Sequence, residues 1–348
     1  MEFSLIQDTA GWDALAPEWN TLFAQSYAQV PFLRYGYLRS WWQTLGGGEW
    51  DPAQSQLALI TAREQGRLIG IAPLFFSAKP KFEPALRFLG SVEVSDYLDF
   101  LVLPGYKEAF FTGLLAFIQI NPALPVKTLD LYNLMEASPS QAALAAAAAQ
   151  AGWAWSTERL LPAPYIPLAE SFDAYLATLN KKQRHEIRRK LRNAEARHQT
   201  AWYTVQEEAR LTAEMDSFID MMRNDSRKVN FLQNPAMIKY LHAAAQAAFA
   251  DGLLHLSFLT FDGRKAAAFM SLVTPDKLWV YNSAWEPAFS PCSPGWVLLA
   301  KEIEWAISQG IHEVDMMRGD EDYKYKFGAI DRFIMHSRCS PASVAPVL

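Results

Sequence analysis

The sequence predicts an α/β protein in which one structural unit occurs twice. Each half of the chain contains two apolar runs that flank a short turn, as a β-hairpin requires: 56–63 and 68–76 in the first half, 254–261 and 266–273 in the second. Helical periodicity precedes each hairpin, and a strand, a helix and another strand follow it. The order of helices, hairpin and strand–helix–strand therefore repeats along the chain.

The same pattern places the individual elements. In the first unit we expect helices at 12–25 and 35–45, a strand at 97–103, a helix at 107–120 and a strand at 127–131. In the second unit we expect helices at 209–223 and 235–250, a strand at 278–284, a helix at 294–308 and a strand at 311–316. The second hairpin has the stronger turn signal, because Gly263 after Asp262 supplies a positive φ.

A basic segment separates the two repeats. Pro162, Pro164 and Pro167 mark a linker, and 172–197 is predicted as one long helix. The segment 181–197 contains eight Lys and Arg residues but only two Glu residues. Its net charge is therefore +6, whereas the net charge of the whole chain is −5. The predicted domains are therefore an N-terminal unit at 1–160, a linker with a basic helix at 161–200, and a C-terminal unit at 201–348.

Composition narrows the class of protein. The chain of 348 residues is 51% hydrophobic and 13% aromatic, enough for a large core. A net charge of −5 argues against general nucleic-acid binding. Two cysteines and six scattered histidines give no disulfide framework and no metal-ligand spacing, so we expect no metal. The absence of a signal peptide and of a long apolar run predicts a cytoplasmic protein without a membrane span.

The segment 278–328 carries the most functional information. It predicts a strand, a helix that begins after Ser293 as N-cap with Pro294 at its first position, and a second strand. A helix N-terminus between two strands favours phosphate, because its free N–H groups and its dipole attract anions. This pattern indicates a phosphorylated acyl donor such as coenzyme A.

The segment resembles the core of the GNAT acyltransferase superfamily. Its end, Arg318-Gly319-Asp320 followed by 323–328 (YKYKFG), resembles the CelD-like acetyltransferases associated with bacterial polysaccharide synthesis and the Fem-type aminoacyl transferases of peptidoglycan. Further pieces match the CelD-like pattern in order: Trp41-Trp42, 69–74, 95–100 and 181–192. The resemblance extends over about 30–330 and implies tandem GNAT-like units, each a mixed central sheet flanked by helices.

The resemblance also implies where the donor binds. Two parallel strands, here 278–284 and 312–316, would splay apart and hold the pantetheine arm of acetyl-CoA or another acyl-CoA. Backbone N–H groups around Ser293, Gly295 and Trp296 would hold the donor phosphates. The two prolines within 290–295 cannot donate hydrogen bonds, which leaves room for a different donor.

Candidate catalytic and substrate-binding residues follow from the same segment. Tyr323, with Tyr325 as an alternative candidate, would protonate the departing thiolate, as GNAT enzymes often use a tyrosine in this region. Asp315 could accept the nucleophile's proton. The substrate-binding candidates are Asp96, Tyr281, Asn282, Trp285, Arg318, Asp320, Lys326 and Arg188. Structural roles in packing, ion pairing, capping or solvation compete at each of these positions, and a solvent-facing position is favoured for Lys324. Arg223, Asp225 and Arg227 occur where the resembled families place an arginine-containing helix near the acceptor.

The expected activity is direct N- or O-acyl transfer, most simply of acetyl from acetyl-CoA. The resemblance implies an amino sugar or a related cell-envelope or exopolysaccharide precursor as acceptor. One alternative is a Fem-type transferase that uses charged transfer RNA, with the basic helix as the RNA contact. Another is a non-catalytic scaffold of a polysaccharide-synthesis complex. The sequence does not determine the oligomeric state.

Overall fold

The computed structural model describes residues 1–48, 52–79 and 82–342, and these residues form two compact units. The first unit comprises Met1–Leu161 together with the described residues from Phe333 onward, and the second comprises Pro162–Arg332. This division differs from the predicted boundaries at both ends of the second unit. The segment 162–200 joins the second unit rather than forming a separate linker, and the last strand belongs to the first unit.

The first unit contains the helices and strands expected of one repeat, with additions. Its elements up to residue 162 are β1 (Glu2–Ile6), α1 (Thr9–Ala14), α2 (Ala16–Gln25), α3 (Tyr35–Leu45), β2 (Gln56–Leu57), β3 (Leu59–Glu64), β4 (Arg67–Ala72), β5 (Leu74–Lys79), β6 (Phe82–Phe88), α4 (Ser91–Val94), β7 (Leu101–Val102), α5 (Lys107–Ile120), β8 (Leu129–Met135), α6 (Pro139–Ala151) and β9 (Trp153–Pro162).

Two features of this unit depart from the expected repeat. The predicted strand 68–76 is divided at Pro73, so that β4 pairs with β3 in one sheet and β5 pairs with β6 in another. A proline cannot donate to a strand ladder, which explains the break. The predicted strand 97–103 reduces to the two residues of β7. Among the described residues the first sheet has the order β1-β3-β4-β7.

The second unit follows the predicted order closely. Its elements are β10 (Tyr165–Pro167), α7 (Phe172–Thr178), α8 (Lys181–Arg197), β11 (Thr200–Thr204), α9 (Glu208–Met222), α10 (Ser226–Leu232), α11 (Pro235–Ala250), β12 (Leu254–Phe261), β13 (Arg264–Thr274), β14 (Lys277–Trp285), α12 (Pro294–Ser308), β15 (Glu313–Asp315) and α13 (Asp322–Lys326). Within 162–332, all of which the structure describes, the strands form one six-stranded sheet in the order β10-β15-β14-β13-β12-β11.

The long helix predicted at 172–197 is two helices. Leu179 and Asn180 have extended backbones, and the Asn180 side chain accepts a hydrogen bond from the N–H of Gln183 at 2.9 Å. Asparagine is a strong N-cap residue because its side-chain oxygen satisfies a free N–H of the first turn. Asn180 is therefore the N-cap of α8 and separates this helix from α7.

The last strand, β16 (Phe333–Pro341), belongs to the first unit. It pairs antiparallel with β8 and lies in the sheet of order β2-β5-β6-β8-β16-β9. The prediction had assigned this segment to the C-terminal unit. Strand pairing decides the assignment, because a strand is stable only where a neighbour satisfies its backbone groups.

The core of the second unit lies between the sheet and the helices packed on it. Leu298, Ile303 and Ala306 of α12 are fully buried against Ala266, Leu278 and Val314 of the sheet. Within the part of the chain that the structure describes, no helix has both the length and the apolar character needed to cross a bilayer.

Candidate functional site

The candidate site lies where the parallel strands β14 and β15 separate. The two strands pair only from Lys277 to Trp279 and from Glu313 to Asp315. A register shift in the pairing of β13 with β14 follows immediately, between the partners Trp279 and Asn282. An irregularity of this kind bends and twists a strand, so β14 continues without β15 on that side. The pairing of the two strands thus stops where β15 ends, at Asp315, and the splay that the resemblance implies stays a prediction.

A cavity of about 330 Å³ lies at the carboxyl end of β14 and the start of α12. The residues that line it are Lys190, Met221, Asp225, Arg227, Phe269, Ser283, Ala284, Trp285, Ser290, Ser293, Pro294, Gly295, Trp296 and Tyr323. The predicted residues that meet here are Tyr323, Ser293, Gly295, Trp296 and Trp285. All of them belong to the second unit.

The start of α12 offers one free backbone donor. The carbonyl of Ser293 accepts hydrogen bonds from the N–H groups of Trp296 at 3.0 Å and Val297 at 3.2 Å, and Pro294 has no N–H. The N–H of Gly295 has no hydrogen-bond partner among the described residues. A side chain added at Gly295 would meet no atom within 4 Å.

Ser293 does not cap the helix with its side chain as predicted. It has a left-handed backbone, with φ of 52°, and makes no side-chain capping bond. Its N–H closes the short 3-10 turn Pro287–Cys292 by bonding to the carbonyl of Ser290 at 2.9 Å. Its role is therefore that of a connector between this turn and α12.

Lys190 and Trp296 form a cationic and aromatic wall of the cavity. The Lys190 Nζ lies 3.8 Å from the centre of the Trp296 ring and 3.7 Å from the Glu186 carboxylate. Burial lowers the pKa of the Lys190 ammonium. The indole of Trp296 also packs against the Phe327 ring, 4.9 Å away between centroids. An ammonium over an aromatic face is held in place while it keeps its capacity to bind an anion.

Tyr323 presents its phenol to the cavity from the short helix α13. Burial, together with the nearby charge of Glu321, raises the pKa of Tyr323 well above its usual value. The hydroxyl is therefore neutral at physiological pH and available as a proton donor. The segment is anchored from α7 by the Tyr175 hydroxyl, which donates to the carbonyl of Phe327 at 2.7 Å.

Lys324 is buried and structural, where a solvent-facing position was favoured. Its Nζ donates to the carbonyls of Met317, Arg318 and Gly319 at 3.2, 2.9 and 3.0 Å. It also pairs with Glu321 at 2.9 Å. A lysine with three donors can satisfy a ring of carbonyls that would otherwise lack partners. Lys324 thus fixes the turn that leads from β15 to Tyr323.

Asp225 and Arg227 add charge to the cavity lining and were only weakly indicated by the sequence, whereas the neighbouring Lys228 was not indicated. Arg227 donates to both oxygens of Asp225, at 3.1 and 2.8 Å, which lowers the pKa of Asp225. The Lys228 Nζ donates to the carbonyl of Ser283 at 2.5 Å, and burial lowers the pKa of Lys228 to about 8. The resemblance had placed an arginine-containing segment near the acceptor. Arg223 of that segment instead pairs with Asp220 and is not part of the cavity lining.

Asp315 does not line the cavity. The carboxylate is fully buried, with one oxygen accepting the N–H of Met317 at 2.8 Å and the other accepting Arg332 at 2.7 Å. Arg332 also forms an ion pair with Glu313, which lies on β15 together with Asp315. The structure therefore gives the predicted proton acceptor a position in an ion-pair network.

Tyr281, Asn282 and the predicted Arg318 also lie outside the cavity lining. The Tyr281 hydroxyl lies 3.5 Å from that of Tyr240 on α11, and Asn282 stands opposite Met270 in the sheet. Arg318 is half-buried in the turn that Lys324 holds.

The remaining predicted substrate residues are spread over the surface and the other unit. Asp320 is exposed, and Lys326 is exposed beside Asp322, 3.2 Å away. Arg188 pairs with Asp173 at 2.9 Å on an exposed face. Asp96 is buried within the first unit. Sequence order alone does not show which polar residues near a strand end converge on a cavity.

Comparison with protein families gives one match, and it covers the elements of the site. Residues 181–325 match the model described as an acetyltransferase (GNAT) domain. This range begins with α8 and ends within α13. The chain has no significant match among curated proteins.

Solved structures share the fold over nearly the whole chain. FemX is 13% identical, with 97% of each chain covered and a TM-score of 0.66. A conserved protein of unknown function from Bacteroides thetaiotaomicron is 12% identical, with 97% and 100% covered and a TM-score of 0.62. The C-terminal domain of a putative lysylphosphatidylglycerol synthetase from Agrobacterium fabrum is 10% identical, with 95% and 92% covered and a TM-score of 0.54.

The segment that matches the family model, 181–325, includes all the residues that line the cavity. The matched segment contains the parallel strands β14 and β15, the start of α12 and the turn that carries Tyr323. Residues 181–325 thus correspond to a GNAT acetyltransferase domain, and the protein is an acyltransferase.

Proposed function

We propose that this acyltransferase moves an acyl group from an acyl-CoA, most simply acetyl-CoA, to an amine or hydroxyl of a sugar-type acceptor. The observation that carries the proposal is the cavity at the carboxyl end of β14, whose lining includes both Gly295 and Tyr323. The acceptor class, an amino sugar or related cell-envelope or exopolysaccharide precursor, rests on the CelD-like resemblance. A GNAT domain is expected to take an acyl-CoA donor.

The cavity has groups suited to a donor of this kind. The Gly295 N–H at a helix start and the Lys190 ammonium would hold a phosphate. Beyond Trp279, β14 has no paired strand on its β15 side, so its backbone edge can receive the amides of a pantetheine arm. Trp285 and Trp296 supply apolar walls.

The proposed reaction is a direct displacement. The acceptor nitrogen or oxygen attacks the thioester carbonyl carbon, so that a C–N or C–O bond forms and the C–S bond breaks. Tyr323 gives its proton to the departing thiolate, and the proton lost by the acceptor restores the tyrosine. No covalent enzyme intermediate is proposed, because the sequence shows no apparent Ser–His or Cys–His pair.

Donor binding tests the proposal. At a hundred times its dissociation constant acetyl-CoA should stabilise the protein by about 2.7 kcal/mol, which raises the unfolding temperature by a few degrees. Replacing Gly295→Leu should abolish this shift, because the new side chain enters the open space in front of the helix start. The unfolding temperature without donor should stay nearly unchanged, because Gly295 does not need a positive φ.

Gly105→Leu is the matched control. Gly105 also has no atom within 4 Å of an added Cβ and no positive φ, and it lies in the first unit. Its replacement should leave the acetyl-CoA shift intact. Absence of any shift with acetyl-CoA and with longer acyl-CoA donors at millimolar concentration would overturn the proposal. An equal loss of the shift in both variants would show that the cavity is not the donor site.

A further inference from the structure

The outer face of α8 is an exposed basic surface beside the donor cavity. We call it the basic face and define it by Lys181, Lys182, His185, Arg189 and Arg192, which are all exposed. Together with Glu186 these side chains surround an open depression of about 550 Å³. The proposed reaction chemistry uses none of these five residues.

Glu186 connects the basic face to the cavity. Its carboxylate pairs with Arg189 of the basic face at 2.8 Å and approaches Lys190 of the cavity wall at 3.7 Å. Arg189 and Lys190 are consecutive residues of one helix, so their side chains leave it about 100° apart. A molecule seated on the basic face would therefore border the donor cavity.

Charge indicates what kind of molecule fits. The segment 181–197 carries +6, and the rest of the chain carries about −11. A long polyanion would meet the acidic remainder of the protein, whereas a small acidic partner can be confined to one helix of about 25 Å. The surface thus favours a protein with a compact acidic face over a nucleic acid.

The start of α12 indicates what this partner carries. Only the Gly295 N–H is free in the first turn, because Trp296 and Val297 bond to Ser293 and Pro294 has no N–H. This is a sparse set of donors for the several phosphates of coenzyme A. A single phosphodiester on a pantetheine arm needs fewer donors, provided that protein–protein contacts supply the remaining affinity.

We infer that the basic face docks an acyl carrier protein, a small acidic protein that presents its acyl group on a phosphopantetheine arm. The inference rests on the proposed function, because the arm would enter the same cavity as the pantetheine of acyl-CoA. Docking on α8 places the carrier next to the cavity wall formed by Lys190. The acyl group would then be transferred by the same bond changes as from acyl-CoA.

Binding of a labelled carrier protein tests this inference. Fluorescence anisotropy would follow a bacterial acyl carrier protein with an acetylated phosphopantetheine arm as the full chain is added, at low and at high salt. We expect binding to weaken as salt rises. Arg192→Glu should raise the dissociation constant about three- to tenfold, the size expected for reversing one exposed charge. The shift in unfolding temperature with acetyl-CoA should not change in this variant.

Lys239→Glu is the matched control, because Lys239 is an exposed lysine on another helix of the same unit, α11. It should leave carrier binding within about twofold of the original, since it lies outside the basic face. Circular dichroism would verify that both variants are folded.

Each other outcome has a distinct meaning. Failure of the carrier to bind, or equal binding to Arg192→Glu, overturns the docking while acetyl-CoA binding still supports the proposed function. Failure of both acetyl-CoA and the carrier overturns the two proposals together. Charged transfer RNA that binds in the absence of carrier binding, and binds less well to Arg192→Glu, would identify the basic face as an RNA surface and overturn the inference.

Discussion

Tyr323 shows how the surroundings of one residue suit it to a proton transfer. Tyr323 is part of the cavity lining, and burial raises its pKa, so its hydroxyl stays protonated throughout the physiological range. A thiolate that leaves a thioester is a strong base when water is excluded, and a neutral phenol can protonate it. Lys324, the next residue, holds the turn in place and contributes no group to the cavity lining.

At this scale we predict that Tyr323→Phe lowers kcat about a hundredfold, the lower end of the usual effect of a general acid. The KM for the donor should change little, because the ring that lines the cavity is retained. Steady-state kinetics with an acceptor identified by screening would measure both constants.

Tyr325→Phe is the control for this prediction. Tyr325 lies two residues away, donates to Asp331 at 2.8 Å and is not part of the cavity lining. Burial and this hydrogen bond raise its pKa to about 12. Its loss should leave kcat within about twofold, since it touches no reacting group. Equal rates for Tyr323→Phe and the original protein would remove Tyr323 from the mechanism.

At the scale of elements, α12 is fixed to the sheet by a buried polar network. Glu302 of α12 is fully buried and accepts hydrogen bonds from Trp202 at 3.0 Å and His255 at 2.7 Å. The His255 ring also lies 3.9 Å from the Trp305 ring on the same helix. The network thereby sets the position of the helix whose first turn carries the Gly295 N–H.

We predict that Glu302→Ala lowers the free energy of unfolding of the second unit by about 2–4 kcal/mol. The change leaves the buried His255 and the partly buried Trp202 without their acceptor, and the loss of an acceptor for a buried donor costs roughly 1–3 kcal/mol. Chemical denaturation followed by tryptophan fluorescence would measure it.

Glu304→Ala is the comparison within the same helix. Glu304 is exposed, and its carboxylate lies 3.5 Å from the Lys301 ammonium. Its replacement should lower the free energy of unfolding by at most about 0.5 kcal/mol, because exposed ion pairs contribute little. Similar effects of the two variants would contradict the structural role of the Glu302 network.

At the scale of the whole molecule, the chain returns to its first unit through β16. His336 of this strand stacks on Tyr132, with ring centroids 4.0 Å apart, and bonds to Asp130 at 2.6 Å and Glu158 at 3.1 Å. Asp130 is also paired with the buried Arg87 at 2.8 Å. The returning strand therefore carries an ion-pair network as well as a ladder of backbone hydrogen bonds.

This network makes the stability of the first unit depend on pH. Burial opposes the charge on His336, but the hydrogen bonds to Asp130 and Glu158 outweigh it and raise the pKa of His336 above 6.5. The charged imidazolium therefore stabilises the folded state fully below pH 6.5, and this contribution is lost as pH rises through the folded pKa.

We predict that the stability difference between the original protein and His336→Gln is largest near pH 6 and shrinks toward pH 9. Denaturation of both proteins across this range would measure it, and their difference cancels the other titrating groups. A difference that stayed constant or grew with pH would contradict the raised pKa.

Local signals in the sequence predicted several elements to the residue. The bounds of α3, α11 and α12 match the expected 35–45, 235–250 and 294–308. Proline at the first helical position marks α11 and α12, and periodic apolar residues mark all three helices, without reference to the rest of the chain. The two hairpins and the acyltransferase class were likewise predicted.

The candidate site was foreseen less completely, because its residues come from distant parts of the chain. Tyr323, Gly295 and Trp296 were predicted from one segment, whereas Lys190 and Arg227 join them through folding. The fate of a polar side chain depends on which partner the fold brings to it. Asp315 meets Arg332, 17 residues later, and Lys228 meets Ser283, 55 residues later.

The sequence alone thus determined the order of the elements, the repeat and the class of chemistry, because these depend on local periodicity, turn residues and short motifs. The tertiary structure decided which unit receives the last strand, which carboxylate is engaged in an ion pair, and which cations border the cavity. These are outcomes of long-range packing, where a buried charge or an unpaired strand edge is stable only beside a partner that the local sequence does not specify.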